Sequence, residues 1–236
     1  MWRKFAFVGT MCLALAATGC PTTVTGLDLS VRGALNLVIS RISSSSIVSA
    51  RATVWDNGSF LSLITLDSDQ FFTVDGSRLN SVPFLSGVYL TQVGVVNPPN
   101  THTVVFNNKG VVMSMAVALP DDFTATNPPN GSNVSKSGFT VSWSPSGVAN
   151  TRVDIEIEGL GPDGSDSDTD PDQVSKLLSN LPDTGSANVG TADLSGFNTG
   201  AIKLTIRRYR EFNQTIGLAE GTIRTEVVRE IALNLQ

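Results

Sequence analysis

The chain has 236 residues, of which 41% are hydrophobic and 16% charged, and its formal net charge is −5. This acidic balance argues against nucleic acid and anionic lipid headgroups as partners, because both are bound through basic patches. With two cysteines and a single histidine, His102, the chain also cannot build the Cys or His clusters that hold zinc.

The N-terminus has the layout of a secretory signal peptide. Two positive residues precede an apolar stretch over residues 5–17, which is shorter than the roughly 20 apolar residues that a membrane-spanning helix needs. The small residues Ala17-Thr18-Gly19 stand directly before Cys20 and resemble the lipobox of bacterial lipoproteins. Ala17 stands where that family prefers leucine. An ordinary signal peptide, with Cys20 as a free thiol, is the alternative interpretation.

The lipobox resemblance implies a lipid anchor at Cys20. In that family the signal peptide, here residues 1–19, is removed, the cysteine sulfur carries a diacylglyceryl group and the new amine is acylated. Several acyl chains anchor a protein stably, whereas one binds a membrane only marginally. Enteric bacteria place aspartate after the cysteine to retain a lipoprotein at the inner membrane, and here Pro21 follows. We therefore expect an outer-membrane lipoprotein that faces the periplasm or the cell surface.

Removal of the signal peptide changes the charge and the cysteine content of the chain. Arg3 and Lys4 leave with it, so the 16 basic residues become 14 against 21 acidic residues, a net charge of −7. Cys12 leaves as well, and Cys20 becomes the mature chain's one cysteine. No intramolecular disulfide can then form, although the protein is exported to an oxidising compartment.

The mature length suits two modest domains of roughly 100–150 residues each. Residues 20–34 are small and polar and are interpreted as the lipid-anchored tether. Alternation of apolar and polar residues then predicts short strands, separated by polar turns, throughout an N-terminal β-sandwich domain over residues 35–124. Residues 121–131, which include the Pro-rich segment 127–131, predict a domain boundary, and residues 125–236 form a second β-sandwich domain.

The second domain shows the clearer strand pattern. Apolar residues alternate over 139–143, 153–157, 202–206 and 231–235, and Trp143 is expected to face the core. If the second and third of these segments are neighbours, their outer faces pair acidic with basic side chains.

One helix is predicted in the second domain. Val174, Leu177, Leu178 and Leu181 follow helical spacing, after Asp170 as an N-cap and before a proline.

Several segments carry a resemblance to known families. Residues 129–131 with Phe139-Thr140-Val141-Ser142-Trp143-Ser144-Pro145 resemble the opening of fibronectin-III or immunoglobulin-like domains. From Ala50 onward, through 119–123, 141–145 and 194–196, the chain is similar to a group of bacterial lipoproteins of unassigned function. The resemblance implies an all-β fold of two tandem Ig-like or Fn3-like β-sandwiches after a signal peptide and tether. It carries no catalytic residues.

An acidic loop between residues 161 and 172 suggests a calcium site. Its carboxylates recur at short intervals, and the candidate ligands are Asp163, Asp166, Asp168 and Asp170. Such spacing converges hard oxygen ligands on one ion. Counted from Asp166, however, the sixth and twelfth positions hold proline and leucine where the EF-hand needs glycine and glutamate. A solvated loop is the alternative, and a calcium titration that leaves the melting temperature unchanged would exclude the site.

Four further motifs favour structural interpretations. Asp183-Thr184-Gly185 matches the aspartic-protease triplet, but that chemistry needs two carboxylates and the chain holds one copy. Residues 181–185 match the sortase pattern, yet further strands follow instead of a hydrophobic span. His102 is expected to be an ordinary strand residue. The basic cluster Arg207–Arg210 is interpreted as a solvated loop, with polyanion or lipopolysaccharide contact as the alternative.

These patterns predict a non-enzymatic binding or structural module at the outer membrane. Its anchor is the Cys20 lipid, and its partner is an unidentified protein or glycan. We expect no cofactor other than the calcium ion that the acidic loop suggests. A calcium-assisted adhesion or envelope-assembly subunit is the second hypothesis, and an enzyme of unrecognised type is the third.

Overall fold

The computed structural model describes residues 33–56, 63–83, 85–94, 101–162, 172–214 and 216–236. The strands of the first half are β1 Gly33–Ile42, β2 Ile47–Asp56, β3 Gln70–Val74, β4 Ser77–Arg78, β5 Asn80–Val82, β6 Leu85–Gly94, β7 Thr101–Asn108 and β8 Val111–Ala118. Those of the second half are β9 Ala125–Asn127, β10 Asn133–Val134, β11 Gly138–Trp143, β12 Arg152–Leu160, β13 Gln173–Pro182, β14 Ser186–Gly190, β15 Gly200–Asn213 and β16 Glu220–Leu235. Among the residues that the structure describes there is one short helix, α1, which spans Thr191–Leu194.

The described strands form three sheets. A nine-stranded sheet runs in the order β13-β12-β15-β16-β1-β2-β6-β5, and β10 pairs with β16 beside this path. A four-stranded sheet, β4-β3-β7-β8, covers one half of it, and a three-stranded sheet, β14-β11-β9, covers the other half. The all-β sandwich prediction is confirmed, and each sandwich shares the large sheet with the other.

The first core lies between the four-stranded sheet and β1, β2 and β6. Alternate residues of each strand point inward, as period-two patterning requires. Phe72 and Phe106 stack at its centre with ring centroids 4.4 Å apart. The buried residues that define this core are Leu35, Leu37, Ile39, Val48, Ala50, Ala52, Val54, Ile64, Phe72, Val74, Leu79, Tyr89, Val93, Val104, Phe106, Val117, Leu119, Ile216, Leu218 and Ile223.

The second core lies between the three-stranded sheet and β12, β15 and β16. Trp143 is buried in it, as the strand pattern predicted. The buried residues that define this core are Phe123, Val134, Val141, Trp143, Val153, Ile155, Ile157, Val189, Leu194, Phe197, Ile202, Leu204, Ile206, Val227, Ile231, Leu233 and Leu235.

Two long strands pass through both cores. β15 and β16 pair antiparallel without interruption, from Gly200 opposite Leu235 to Asn213 opposite Thr222. β1 then pairs in parallel with the N-terminal part of β16. The expected domain of residues 125–236 therefore does not keep to one core. Its residues Phe212, Ile216, Leu218 and Ile223 belong to or pack against the first core, because β15 and β16 are long enough to reach it.

The helix predicted over 174–181 is wrong, because this segment is strand β13, paired antiparallel with β12. The pairing register shifts between Val153 and Ile155, whose partners Leu181 and Leu178 are three residues apart on β13. A β-bulge inserts one extra residue into a strand in this way. It brings Val174, Leu178 and Leu181 toward the core at intervals of four and three, which imitates helical spacing.

Among the described residues, no helix is both long enough and apolar enough to cross a membrane.

The contribution of β16 to the first core can be tested by substitution. Ile223 is fully buried there. We expect Ile223→Ala to lower the free energy of unfolding by about 2–5 kcal/mol, because it removes buried methyl groups and leaves a cavity. The matched control is Ile42→Ala, whose side chain is 50% exposed, and its effect should stay within about 0.5 kcal/mol. Urea unfolding measures both, and equal losses would contradict the assignment.

Candidate functional site

The predicted anchor and the predicted calcium ligands lie outside the described residues. These positions are Cys20, Asp163, Asp166, Asp168 and Asp170. The two ends of the acidic loop are described, and the Gly161 N–H donates to the Asp172 carbonyl at 2.7 Å. Within the described part of the chain, no three His, Cys, Asp or Glu side chains are grouped so that they could hold a metal ion. Calcium binding stays a prediction.

Arg208 is the central residue of a buried polar junction between the two cores. It lies on β15, and its side chain is 1% exposed. Its Nε lies 2.8 Å from Oδ2 of Asp183. Its Nη1 donates to the carbonyls of Asp121 and Asp122 at 3.2 and 3.4 Å, and its Nη2 donates to the Ser144 carbonyl. One guanidinium therefore ties β15 to the segment that connects the cores and to the end of β11.

Asp183 is the anionic partner in this junction. Its side chain is 5% exposed, and besides Arg208 it accepts a hydrogen bond from Trp143 Nε1 at 2.6 Å. It also accepts from the Ser146 N–H at 3.2 Å. A buried carboxylate needs such donors, because an unpaired buried charge is strongly disfavoured. The aspartate of the protease-like and sortase-like motifs thus has a structural role in this fold.

The backbone conformation of Gly185 explains why the same motif has glycine at this position. Its φ is +96°, a conformation that L side chains rarely adopt, and an added Cβ would lie 3.1 Å from the Trp143 carbonyl oxygen. The Gly185 carbonyl accepts from the Trp143 N–H at 2.8 Å. Asp183 and Gly185 therefore hold Trp143 by its side chain and by its backbone.

Asp122 connects the segment between the cores to the turn after β1. It accepts hydrogen bonds from the Ser43 hydroxyl at 2.6 Å, the Ser44 N–H at 3.1 Å and the Phe123 N–H at 2.8 Å. Arg41 approaches the same carboxylate at 3.5 Å. Partial burial opposes ionisation, but these hydrogen bonds and the Arg41 charge outweigh it and lower the pKa of Asp122.

Phe123 provides the apolar part of the junction. Two guanidinium groups lie over its ring, with Arg208 4.8 Å and Arg229 6.0 Å from the ring centroid. Arg229 also donates to the Ser43 hydroxyl at 2.6 Å. Strands β1, β15 and β16 therefore all meet at residues 121–123.

The outer face of the nine-stranded sheet carries a ladder of ion pairs. Arg207 lies 2.6 Å from Glu156, and Lys203 pairs with Glu158. The expected acid–base pairing of these neighbouring strands is therefore present. Burial lowers the pKa of Arg224, but its ion pair with Asp154 at 2.7 Å and other nearby acidic groups outweigh this and raise it. The ladder joins β12, β15 and β16 along one surface.

The basic cluster 207–210 and the motif that begins at Asp183 are separate in the sequence but meet in the structure, through the ion pair between Arg208 and Asp183. The segment 207–210 was expected to be a solvated loop, which is wrong, because it lies in the middle of β15. The period-two alternation of the preceding residues indicated that the strand continues, since Ile202, Leu204, Ile206 and Arg208 share one buried face. Its partner Asp183 is not adjacent in sequence, and no local pattern connects the two.

His102 is fully buried on β7, where its Nδ1 lies 2.6 Å from Asp75 Oδ2. The Thr103 N–H donates to the other oxygen of Asp75 at 2.8 Å. Asp75 has a φ of +50° in the turn after β3. The histidine therefore fixes a turn beside the first core.

A cleft of about 320 Å³ lies beside β5 and β6. Several of its polar groups bond with one another, since the Tyr89 hydroxyl accepts from the Leu66 N–H at 2.7 Å and Arg78 Nη2 donates to the Ser68 carbonyl at 3.3 Å. Arg78 stacks over Phe71, 4.5 Å from the ring centroid. These contacts hold the cleft walls together.

No family model matches the chain, and no curated protein matches it. Among solved structures, the chain is similar to the I9–I11 tandem from titin, with 11% identity, 83% of this chain and 66% of that chain covered, and a TM-score of 0.22. It is also similar to the FN1–FN3 domains of chicken CNTN1, with 14% identity, 89% and 69% coverage, and a TM-score of 0.26. The chain spans about two thirds of the length of each.

The buried pair predicts a large stability loss when its anion is removed. Asp183→Ala leaves the Arg208 charge without a carboxylate and Trp143 Nε1 without its acceptor. We expect a loss of about 3–5 kcal/mol in the free energy of unfolding. Asp183→Asn retains an acceptor for Trp143 and should lose less. The control Glu230→Gln changes an exposed carboxylate and should stay within about 0.5 kcal/mol. If denaturant unfolding shows that Asp183→Ala loses no more stability than Glu230→Gln, the structural role of Asp183 is contradicted.

The Asp122 contacts predict a pH-dependent contribution to stability. Because its pKa is lower in the folded chain, ionised Asp122 stabilises the fold above its unfolded pKa of about 3.9. That contribution is lost as the pH falls through the lower, folded pKa. The stability difference between the native protein and Asp122→Asn should therefore shrink between neutral and strongly acidic pH.

Thermal unfolding across this pH range measures the difference. Ser43→Ala removes one donor to Asp122 and should show a smaller effect in the same direction. A difference that is independent of pH would show that the folded and unfolded pKa values of Asp122 are equal.

Proposed function

We propose that the protein is a lipid-anchored, non-enzymatic structural and binding module of the cell envelope, at the outer membrane. The observation that carries this proposal is the unbroken passage of β15 and β16 through both cores. Because the two sandwiches share strands, they form one stiff body and are not two domains joined by a flexible linker. A stiff body suits a protein that holds a recognition surface at a set distance from its anchor.

The direction of the chain supports this arrangement. β1 begins at Gly33, whose carbonyl accepts from the Ala219 N–H at 3.0 Å. Ala219 lies in the turn between β15 and β16, at the end of the body away from the second core. Cys20 precedes this end along the chain, so its lipid would hold the first core near the membrane. The second core then points away.

The extent of the body follows from its strands. β16 has 16 residues, which at about 3.3 Å per residue span roughly 50 Å. At its far end, Gly200 pairs with Leu235, and the neighbouring strand β12 ends at Leu160. The ends of the acidic loop, Gly161 and Asp172, therefore lie at the end of the body opposite Gly33. Loops held by a stiff scaffold commonly carry recognition, and the partner we propose there is a protein or glycan.

The anchor can be tested with the two cysteines of the precursor. We expect the native protein to carry a diacylglyceryl group on Cys20, detectable by mass spectrometry, and to sediment with the outer membrane. Cys20→Ala should lose the lipid and the membrane association, because the sulfur is the acceptor. Cys12→Ala is the matched control, since that residue lies in the signal peptide and should leave lipidation intact. A native protein without lipid, or membrane-bound Cys20→Ala, would overturn the proposal.

A further inference from the structure

The first residues of β8 expose an apolar tip. Val111, Val112 and Met113 are 56%, 62% and 41% exposed. Strand β8 lies at the edge of the four-stranded sheet, and among the described strands it pairs with β7 alone. Exposed edges of soluble proteins usually carry charges, proline or a bulge that block further contacts. The eight residues of β8 contain neither a charged residue nor proline.

This apolar tip lies at the same end of the body as Gly33. An added Cβ at Gly217 would lie only 2.7 Å from the Met113 sulfur, so Met113 packs closely against the turn between β15 and β16. The same turn contains Ala219, which donates to the Gly33 carbonyl at 3.0 Å. At the other end of β8, the Ala118 carbonyl accepts from the Thr225 hydroxyl, nearer the second core.

We propose that Val111, Val112 and Met113 insert into the outer part of the lipid bilayer that holds the Cys20 anchor. The inference rests on the proposed anchor and adds a second membrane contact to it. Twelve residues separate Cys20 from Gly33, and a fully extended chain of this length spans at most about 45 Å. The anchor therefore keeps the Gly33 end of the body close to a lipid surface.

The exposure pattern favours lipid over a protein partner. Consecutive strand residues point to opposite faces, so Val111 and Val112 expose apolar side chains on both faces of the tip. A docked sheet would cover one face, whereas a bilayer surrounds both. Lys109, in the turn before β8, lies 3.4 Å from Asp67, so its charge is already balanced. The inserted tip would thus tolerate zwitterionic lipid and would not require anionic headgroups.

The test uses the lipidated full-length mature protein with a single added cysteine. Cys20 is blocked by its lipid, so Val112→Cys gives one site for an environment-sensitive NBD label. The matched control is Leu177→Cys, because Leu177 is a 53% exposed apolar residue on β13, whose other face packs against the second core. Both proteins are reconstituted into phosphatidylcholine vesicles with and without doxyl-labelled phosphatidylcholine. We expect a blue-shifted emission and doxyl quenching at position 112 and neither at position 177.

The possible outcomes distinguish a failure of the lipid anchor from a failure of the proposed tip contact. Mass spectrometry and vesicle flotation first show whether the protein carries its lipid, and failure there overturns the anchor and with it the tip contact. A lipidated protein whose label at position 112 stays unquenched overturns the tip contact alone. A blue shift without doxyl quenching, accompanied by dimers in chemical crosslinking, would instead assign the tip to a second copy of the chain.

A second variant separates lipid contact from a change in the fold. Val112→Glu, combined with a label at Val111→Cys, places a charge in the tip without touching either core. We expect it to abolish the quenching while circular dichroism and the melting temperature stay those of the labelled Val111→Cys protein. Quenching that persists beside the introduced carboxylate would contradict insertion.

Discussion

The continuous pairing of β15 with β16 is the constraint on which the rest of the structure depends. The inward residues of β15 pack in the second core first and in the first core later, and those of the antiparallel strand β16 follow the reverse order on the same face of the sheet. A slip of one residue would turn this whole set outward in both sandwiches at once. The relative orientation of the two cores is therefore set by the register of a hairpin, and the segment between them does not need to be stiff in itself.

The junction shows how a polar group can stand where two apolar cores meet. Along β15 the inward face changes from aliphatic residues to Arg208 at the point where the second core ends. A buried ion pair is weak evidence for net stability, because desolvation offsets much of the attraction. We infer that Asp183 and Arg208 contribute specificity, since only one path of residues 121–123 presents its carbonyls to the guanidinium. The junction thereby fixes where one sandwich stops and the next begins.

Local patterns in the sequence predicted much of the fold and little of the junction. Period-two alternation identified most strands and the inward Trp143, because side-chain direction in a strand depends only on parity. It failed at β13, where a bulge produced intervals of three and four that a helix also produces. The partnership of Asp183 with Arg208 could not be predicted, because it depends on which strands become neighbours. The charged outer face was predictable, since β12 and β15 each alternate charge with aliphatic residues.

The parallel pairing of β1 with β16 has a consequence for the order in which the protein can fold. Ile39 lies opposite Thr225, so the first sandwich is completed by a strand that is synthesised long after β1. N-terminal domains generally fold first during synthesis, but here the early half of the chain lacks a central neighbour for its first strand. Contacts between such distant segments also form slowly. Both sandwiches include β16, so a nascent chain of this topology can complete neither of them until that strand has been synthesised.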